Sequence, residues 1–444
     1  MPDTIFAMAS GAGRAGVAII RVSGPAAGRA WLQLTHAAAL PKPRRAILTS
    51  LYHPQTHEQI DQGLGLWFPA PRSYTGEDVL ELHIHGGRAV IAGLLCALAA
   101  VCDLRPAEPG EFTRRAFQNG KLDLTAAEGL ADLVNADTEA QRRQSLRQMA
   151  GALGGLYESW RSELIRVLAQ TEAYIDFPDE DIPASLAAEG RVKIDQLISA
   201  ITSHLQDDHR GERLRDGLSV VILGPPNAGK SSLLNLLARR EAAIVSATAG
   251  TTRDIVEIHL DLGGYPVIIA DTAGLRETSE IVEQEGVRRA LARAADADLK
   301  ILVLDATIWP EADASIQSLV GKDTLVLVNK IDQRPLGGDL EIRGQRALPI
   351  SIRTGQGVDD FLSLFEAKVG DRLDTRASPA ITRERHRLAL LECRECLSRF
   401  HNAAGIELAA EDLRLAVRAL GRITGRVDVE DILDVVFAEF CIGK

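Results

Sequence analysis

The spacing of apolar and polar positions changes character along the chain. In residues 1–120, Gly16–Val22 and Leu64–Phe68 read as strands. Asp78–His85 alternates, is rich in Val, Leu and Ile, and stops at Gly86-Gly87. A helical period follows from Ala89 to Ala100. From Thr125 to about Asp208 the period is helical throughout, built from Ala, Leu, Glu, Arg and Gln. Thr125 and Glu128 are spaced as a capping box, so a helix is expected to start there. Pro178 and Pro183 flank Asp179-Glu180-Asp181 and predict a break. Residues 217–370 alternate strand and helix, which predicts a parallel sheet covered by helices. Helical spacing returns over Arg383–His401, Ala410–Leu420 and Asp428–Phe440.

The pattern therefore predicts a multidomain α/β protein. Residues 1–120 form an N-terminal α+β domain. A discontinuous helical domain is expected from 121–210 and 376–444. An α/β domain, 211–375, is expected to be inserted between its halves. Apolar content of 46% is ample for several cores, and aromatic content of 4% makes them aliphatic. The net charge of −11 argues against a generic polyanion-binding surface but leaves room for a local basic patch. The five cysteines are Cys96, Cys102, Cys393, Cys396 and Cys441, an odd and small number that suits a reducing compartment. Cys393 and Cys396 form a lone CxxC, read as two small residues on a helix face because a second ligand pair is missing nearby. His83 and His85 share a strand face but lack a third ligand. A basic leader with a long apolar run is absent, and so is a membrane-length apolar stretch. A cytoplasmic location is expected.

The chemistry is concentrated in 217–370. Leu218–Leu223 is a buried-strand run, followed by Gly224-Pro225-Pro226-Asn227-Ala228-Gly229-Lys230-Ser231 and a helical Ser232–Arg240. This GxxxxGK[ST] loop turns backbone N–H groups onto phosphates, with Lys230 on the β- and γ-phosphates and Ser231 on Mg²⁺. Thr251-Thr252-Arg253-Asp254 stands where a switch loop belongs, with Thr252 the second hydroxyl for Mg²⁺. Asp271-Thr272-Ala273-Gly274 follows the strand Pro266–Ala270. There Asp271 is placed to hold Mg²⁺ through water, and the Gly274 N–H to meet the γ-phosphate. Asn329-Lys330-Ile331-Asp332 follows the strand Thr324–Val328, and Asp332 can accept from guanine N1–H and its 2-amino group, a donor pair adenine lacks. Ser351-Ile352-Arg353 follows Ala347–Ile350 and is expected to back the base, although a small residue is usual where Ile352 stands. These motifs predict a GTPase, with 211–375 a Ras-like P-loop domain.

Leu275 occupies the position of the Ras glutamine, so the group that positions water must come from elsewhere. Glu277, Glu280, Glu283 and Glu285 lie close behind, and Glu283 opens a helical pattern. A cation beside the phosphates is also needed: an arginine finger contributes about 10³–10⁵ in rate. A unit charge near about 4 Å at an effective dielectric of about 20 supplies roughly 4 kcal/mol. A monovalent ion bound by Asn227 and by carbonyls of Ser246–Thr251 could fill that role.

At this point the sequence resembles the MnmE (TrmE) family of tRNA-modification GTPases over essentially its whole length. The resemblance rests on Gly13-Arg14-Ala15-Gly16, Ile19-Ile20-Arg21-Val22-Ser23-Gly24, Ser73-Tyr74-Thr75-Gly76-Glu77-Asp78 with Glu81 and His85-Gly86-Gly87. Further matches are Pro109-Gly110-Glu111-Phe112-Thr113, Asn119-Gly120-Lys121-Leu122-Asp123-Leu124 and the terminal Phe440-Cys441-Ile442-Gly443-Lys444. It implies that the N-terminal domain binds tetrahydrofolate and dimerises. It also implies that the homodimer joins a flavin-dependent partner, MnmG, in a heterotetramer or larger complex. Together they would add an aminomethyl or carboxymethylaminomethyl group at C5 of the wobble uridine of certain tRNAs. The one-carbon donor would be 5,10-methylene-tetrahydrofolate, with 5-formyl-tetrahydrofolate as a bound analogue.

The family's folate residues match Arg21, Glu81, Lys121 and Lys444. Its K⁺ site matches Asn227, Ser246, Thr248 and Thr251, with Ala247, Ala249 and Gly250 completing that loop. Its Mg²⁺ ligands match Ser231 and Thr252, and its catalytic glutamate matches Glu283. The nucleotide loop implied is Asn227, Ala228, Gly229, Lys230, Ser231 and Ser232. Cys441 reads either as a nucleophile on the uracil ring or as a small buried tail residue. A ribosome-assembly GTPase that binds rRNA is the competing expectation.

Overall fold

In the computed structural model, the described residues are 3–177, 184–239, 243–244, 257–270, 297–310, 320–374, 379–427, 430–438, 440 and 442–443. They divide into two compact units: Met1–Ala131 with Gln148–Gly190 and Arg399–Lys444, and Asp132–Arg147 with Arg191–Ser398.

The first unit is built on a six-stranded sheet in the order β3-β4-β5-β2-β1-β6. Its strands are β1 (Thr4–Met8), β2 (Ala15–Ser23), β3 (Ile47–Tyr52), β4 (Gln59–Phe68), β5 (Val79–Gly86) and β6 (Leu104–Pro106). All neighbours are antiparallel except β1 and β6. Alternation sorts the two faces. Ile20, Val22, Leu80, Leu82 and Ile84 point into a core closed by Leu34, Leu94 and Leu98 of helices α1 (Ala27–Thr35) and α2 (Arg88–Ala99). Trp31 packs so close to β4 that a Cβ on Gly65 would lie 2.1 Å from its ring, which explains a glycine in a strand. On the opposite face Phe112 of α3 (Glu111–Gln118) buries Ile5 and Ala7. Beyond it Val17, Leu48 and Leu64 remain exposed.

Helix α4 (Leu124–Val134) begins one residue before the expected cap. Asp123 accepts from the Ala126 N–H (2.8 Å) and the Thr125 hydroxyl (2.7 Å), so Asp123 caps the helix. Thr125 and Glu128 are buried instead. The 25-residue α6 (Ala152–Asp176) packs along the helix Ile406–Thr424, which joins chain segments far apart in sequence.

The second unit holds an eight-stranded sheet, β13-β14-β12-β11-β7-β10-β9-β8. Its strands are β7 (Leu218–Leu223), β8 (Ala243–Ile244), β9 (Glu257–Leu262), β10 (Tyr265–Ala270), β11 (Leu299–Asp305), β12 (Thr324–Asn329), β13 (Glu341–Ile342) and β14 (Gln345–Pro349). The expected parallel sheet is found for β14-β12-β11-β7-β10. Both edges are antiparallel, because the Gly263-Gly264 turn folds β9 back on β10 and a second hairpin joins β13 to β14. Apart from exposed Ser219 on β7, the central strands are buried on both faces and therefore read as nearly continuous apolar runs.

Helix α5 (Glu139–Met149) meets the tip of the β9–β10 hairpin, where the Ala140 N–H donates to the Gly264 carbonyl (3.0 Å). Beside this contact is a crevice of about 260 Å³ lined by Glu139, Arg143, Arg147, Tyr265 and Leu373, among others. Cys393 and Cys396 face inward on the helix Glu384–Phe400, and burial pushes the Cys393 thiol well up. Among the described residues no helix is long and apolar enough to cross a membrane.

Candidate functional site

The loop after β7 sits at the carboxyl end of the parallel strands, where open α/β sheets place ligands. The helix Lys230–Ala238 starts two residues earlier than expected, so its first turn belongs to the phosphate loop. The Lys230 ammonium donates to the carbonyls of Gly224 (2.9 Å) and Pro225 (2.8 Å), which draws it across the mouth of the loop. Gly229 has φ +108, and a Cβ there would lie 2.2 Å from the Asn329 amide nitrogen, so both backbone and space demand glycine.

That contact is the centre of the site. Asn329 is buried, its Nδ2 donates to the Ala228 carbonyl (2.9 Å), and its Oδ1 accepts from the Ile352 N–H (3.1 Å). One amide thereby braces the phosphate loop against both loops that were expected to hold the base. Ser351 is fully buried and donates its hydroxyl to Asp332 Oδ1 (2.7 Å), which fixes the plane of a carboxylate whose side chain is 16% exposed. Arg353 stands 3.9 Å from the other oxygen but is itself exposed. Ile352 departs from the small residue usual there. Its backbone does the bracing, while its side chain packs on the core and reaches to 3.7 Å from the Gly229 Cβ position. Lys330 pairs with Asp305 at the end of β11 (2.7 Å). Burial opposes ionisation of Asp305, but the Lys330 and Thr307 hydrogen bonds hold its carboxyl below the usual range. Ala228, Ser231 and Ser232 lie in the same loop and first turn, and Asn227 is exposed with φ +62.

A second cluster lies in the N-terminal unit. Arg21 and Glu81 are register partners on β2 and β5, and Arg21 Nε donates to Glu81 Oε1 at 2.9 Å. The Arg21 guanidinium lies over the rings of Tyr74 (5.1 Å) and Phe112 (5.7 Å). Burial raises the Tyr74 phenol pKa, opposed by its bond to Thr113 (2.7 Å) and by Arg21. Below, Arg115 binds Asp3, Glu77 and Glu111, while Glu77 takes the Ser23 hydroxyl (2.7 Å), so the loop 73–78 is tied to the sheet. Lys121 reaches the Pro71 carbonyl (3.1 Å) at the edge of that loop. His83 lies 3.8 Å from Glu81, and His85 bonds Asp61 (2.8 Å).

Sequence reasoning did not assign roles to Tyr74, Phe112 or Asp305. The strand alternation that places Arg21 beside Glu81 could have led to the aromatic pair. Ser246, Ala247, Thr248, Ala249, Gly250, Thr251, Thr252, Asp271, Thr272, Ala273, Gly274, Glu283, Cys441 and Lys444 lie outside the described residues.

Two family profiles match the chain: "GTP-binding protein TrmE N-terminus" over residues 4–121 and "MnmE helical domain" over 124–441. A protein of Paramagnetospirillum magneticum named tRNA modification GTPase MnmE is 56% identical over 444 residues, covering 100% of both chains. The mitochondrial 5-taurinomethyluridine-tRNA synthase subunit GTPB3 of Danio rerio is 50% identical over 470 residues, covering 100% of this chain and 93% of that one. The solved G domain of the T. maritima iron transporter FeoB is 24% identical, covers 34% of this chain and 98% of its own, and has a TM-score of 0.26.

Proposed function

This chain belongs to the MnmE family of tRNA modification GTPases, and from that premise we propose that its GTP hydrolysis serves a folate-dependent carbon transfer to the wobble uridine. That it is a GTPase acting in tRNA modification follows from membership alone. The family's activity also displaces the ribosome-assembly alternative. The finer reading is that a homodimer works with flavin-dependent MnmG in the cytoplasm. It adds the aminomethyl or carboxymethylaminomethyl group from 5,10-methylene-tetrahydrofolate. The domains are taken as 1–120, 121–210, 211–375 and 376–444.

The observation that carries this reading is the Arg21–Glu81 pair, each side chain 19% exposed, set against Tyr74 and Phe112. A pterin is flat and carries ring donors, so aromatic walls and a carboxylate suit it, and Lys121 with Lys444 would suit its acidic tail. Arg21 orients the Glu81 carboxylate until a ligand's N–H groups compete for it.

In the nucleotide domain Lys230 meets the β- and γ-phosphates and Asp332 the guanine edge. Ser231 and Thr252 would hold Mg²⁺, which spreads charge off the phosphates when bound. Asn227 at its bend, with Ser246, Thr248 and Thr251, offers oxygens suited to K⁺, which would add positive charge there and draw two G domains together. Glu283 would orient the attacking water.

The test is wobble-nucleoside analysis in cells that lack the protein and carry Glu81→Gln or Arg21→Gln. The modified nucleoside should disappear while purified variants still hydrolyse GTP. Full modification in both variants would refute the folate assignment and leave the GTPase intact.

A further inference from the structure

The open end of the β3–β4 hairpin gathers positive charge. Lys42, Arg44 and Arg45 precede β3, and Arg72 follows β4. The Arg44 N–H donates to the Trp67 carbonyl (2.9 Å), and its guanidinium to the carbonyl of Arg72. The Arg45 N–H closes a turn on Lys42 (3.3 Å). Lys121 approaches the same loop from the other side, through Pro71. All five side chains are exposed.

None of the five forms an ion pair among the described residues. Other arginines of the chain do hold carboxylates, among them Arg21, Arg29, Arg105, Arg115, Arg142 and Arg387. The acids of this loop are spent locally, Glu77 on Arg115 and Asp78 on the Ala70 N–H (2.8 Å). Glu58 and Asp61 stand at the closed end of the hairpin. In a chain of net charge −11, Lys42, Arg44, Arg45 and Arg72 thus form a cluster of cations beside the loop that carries Tyr74 over Arg21. Mutual repulsion makes such a cluster unfavourable unless a polyanion meets it.

We infer that Lys42, Arg44, Arg45 and Arg72, with Lys121 at the inner edge, form a docking surface for the phosphodiester backbone of the tRNA substrate. It holds the RNA strand beside the Arg21–Glu81 pocket. The cations are dispersed over two segments and stand proud of the surface, which suits successive phosphates rather than one enclosed anion. The inference rests on the tRNA substrate and is independent of the one-carbon chemistry.

The test uses the full-length protein without nucleotide and a labelled unmodified tRNA transcript, titrated at several salt concentrations. The comparison is with the combined Lys42→Gln, Arg44→Gln, Arg45→Gln and Arg72→Gln variant. Each phosphate contact on a single strand contributes about 0.7 to the slope of log affinity against log salt. Four contacts make about 2.8. Between about 50 and 200 mM salt the wild type should therefore lose about 50-fold more affinity than the variant. GTP hydrolysis and melting temperature should be unchanged, and single variants should each flatten the slope by about 0.7–1. Equal slopes would overturn the inference, as would a wild type that binds no tRNA. So would a variant that loses polyglutamylated tetrahydrofolate, or an acidic protein partner, while keeping the RNA slope.

Discussion

Asn329→Ala tests whether one amide integrates the nucleotide site. The wild-type side chain satisfies the Ala228 carbonyl and the Ile352 N–H, and it is 4% exposed. Alanine leaves both groups unpaired. Each unsatisfied buried group costs about 1–3 kcal/mol. Partial relaxation of the two loops brings the total to about 2–4 kcal/mol, which is about 30- to 1000-fold in an equilibrium constant. That cost divides between folding and binding, because loops freed in the empty protein must be reordered by the nucleotide. GDP affinity by calorimetry and the melting temperature with and without saturating GDP measure both shares. Asn329→Asp is the control: it keeps the acceptor for Ile352 but turns a charge toward the Ala228 carbonyl, and it should be no better than alanine. An alanine variant with affinity within about twofold and an unchanged melting temperature would refute the bracing argument.

Asp332→Asn replaces one guanine acceptor by a donor, removing up to two charge-assisted bonds of about 1.5–3 kcal/mol each. Competition binding should show GTP affinity down by at least about 100-fold and xanthosine triphosphate gaining, since its 2-oxo group accepts. Glu111 receives Arg105 (2.8 Å), Arg115 (3.0 Å) and the Glu108 N–H (2.9 Å). Burial opposes its ionisation, yet the Arg105 bonds lower its pKa, and Asp3 is lowered likewise by Arg105 and Arg115 against its own burial. Depressed carboxylates stabilise the fold above their unfolded values of about 4 and lose that contribution as pH falls through the folded values. Glu111→Gln should therefore melt lower than wild type at pH 7 by about 1.5–3 kcal/mol, with the difference shrinking below about pH 4 in thermal unfolding scans.

The elements legible in the sequence are those whose environment is uniform. Leu218–Leu223 is buried on both faces, so its apolar run marks its ends at the observed residues. Thr324–Asn329 extends one residue past its expected end for the same reason. The site motifs were readable because phosphate and guanine chemistry demands fixed residues at short spacing. Pairings across distance were not readable. Asp305 and Lys330 are 25 positions apart and join only because β11 and β12 run side by side. Tyr74 reaches Arg21 from a loop whose path is set by Arg115, Glu77 and Ser23, a network that leaves no period in the sequence. The Thr125 cap failed because Asp123 caps the helix two residues earlier, taking the Ala126 N–H and the Thr125 hydroxyl itself. The antiparallel edge of the second sheet was not expected, although β9 alternates Glu257, His259 and Asp261 with apolar residues, as a half-solvated strand does, and leads into Gly263-Gly264.

In sequence the hairpin of β9 and β10 lies between Thr252 and Asp271, and at its tip the Gly264 carbonyl accepts a hydrogen bond from the Ala140 N–H of α5. Beside it lies the crevice, and Ala140 and Tyr265 pack against the apolar core that also holds Leu214 and Leu373. A single backbone bond contributes about 0.5–1.5 kcal/mol. That bond alone could transmit roughly a tenfold bias from hairpin to helix, so any larger coupling would have to run through the apolar packing of Ala140 and Tyr265.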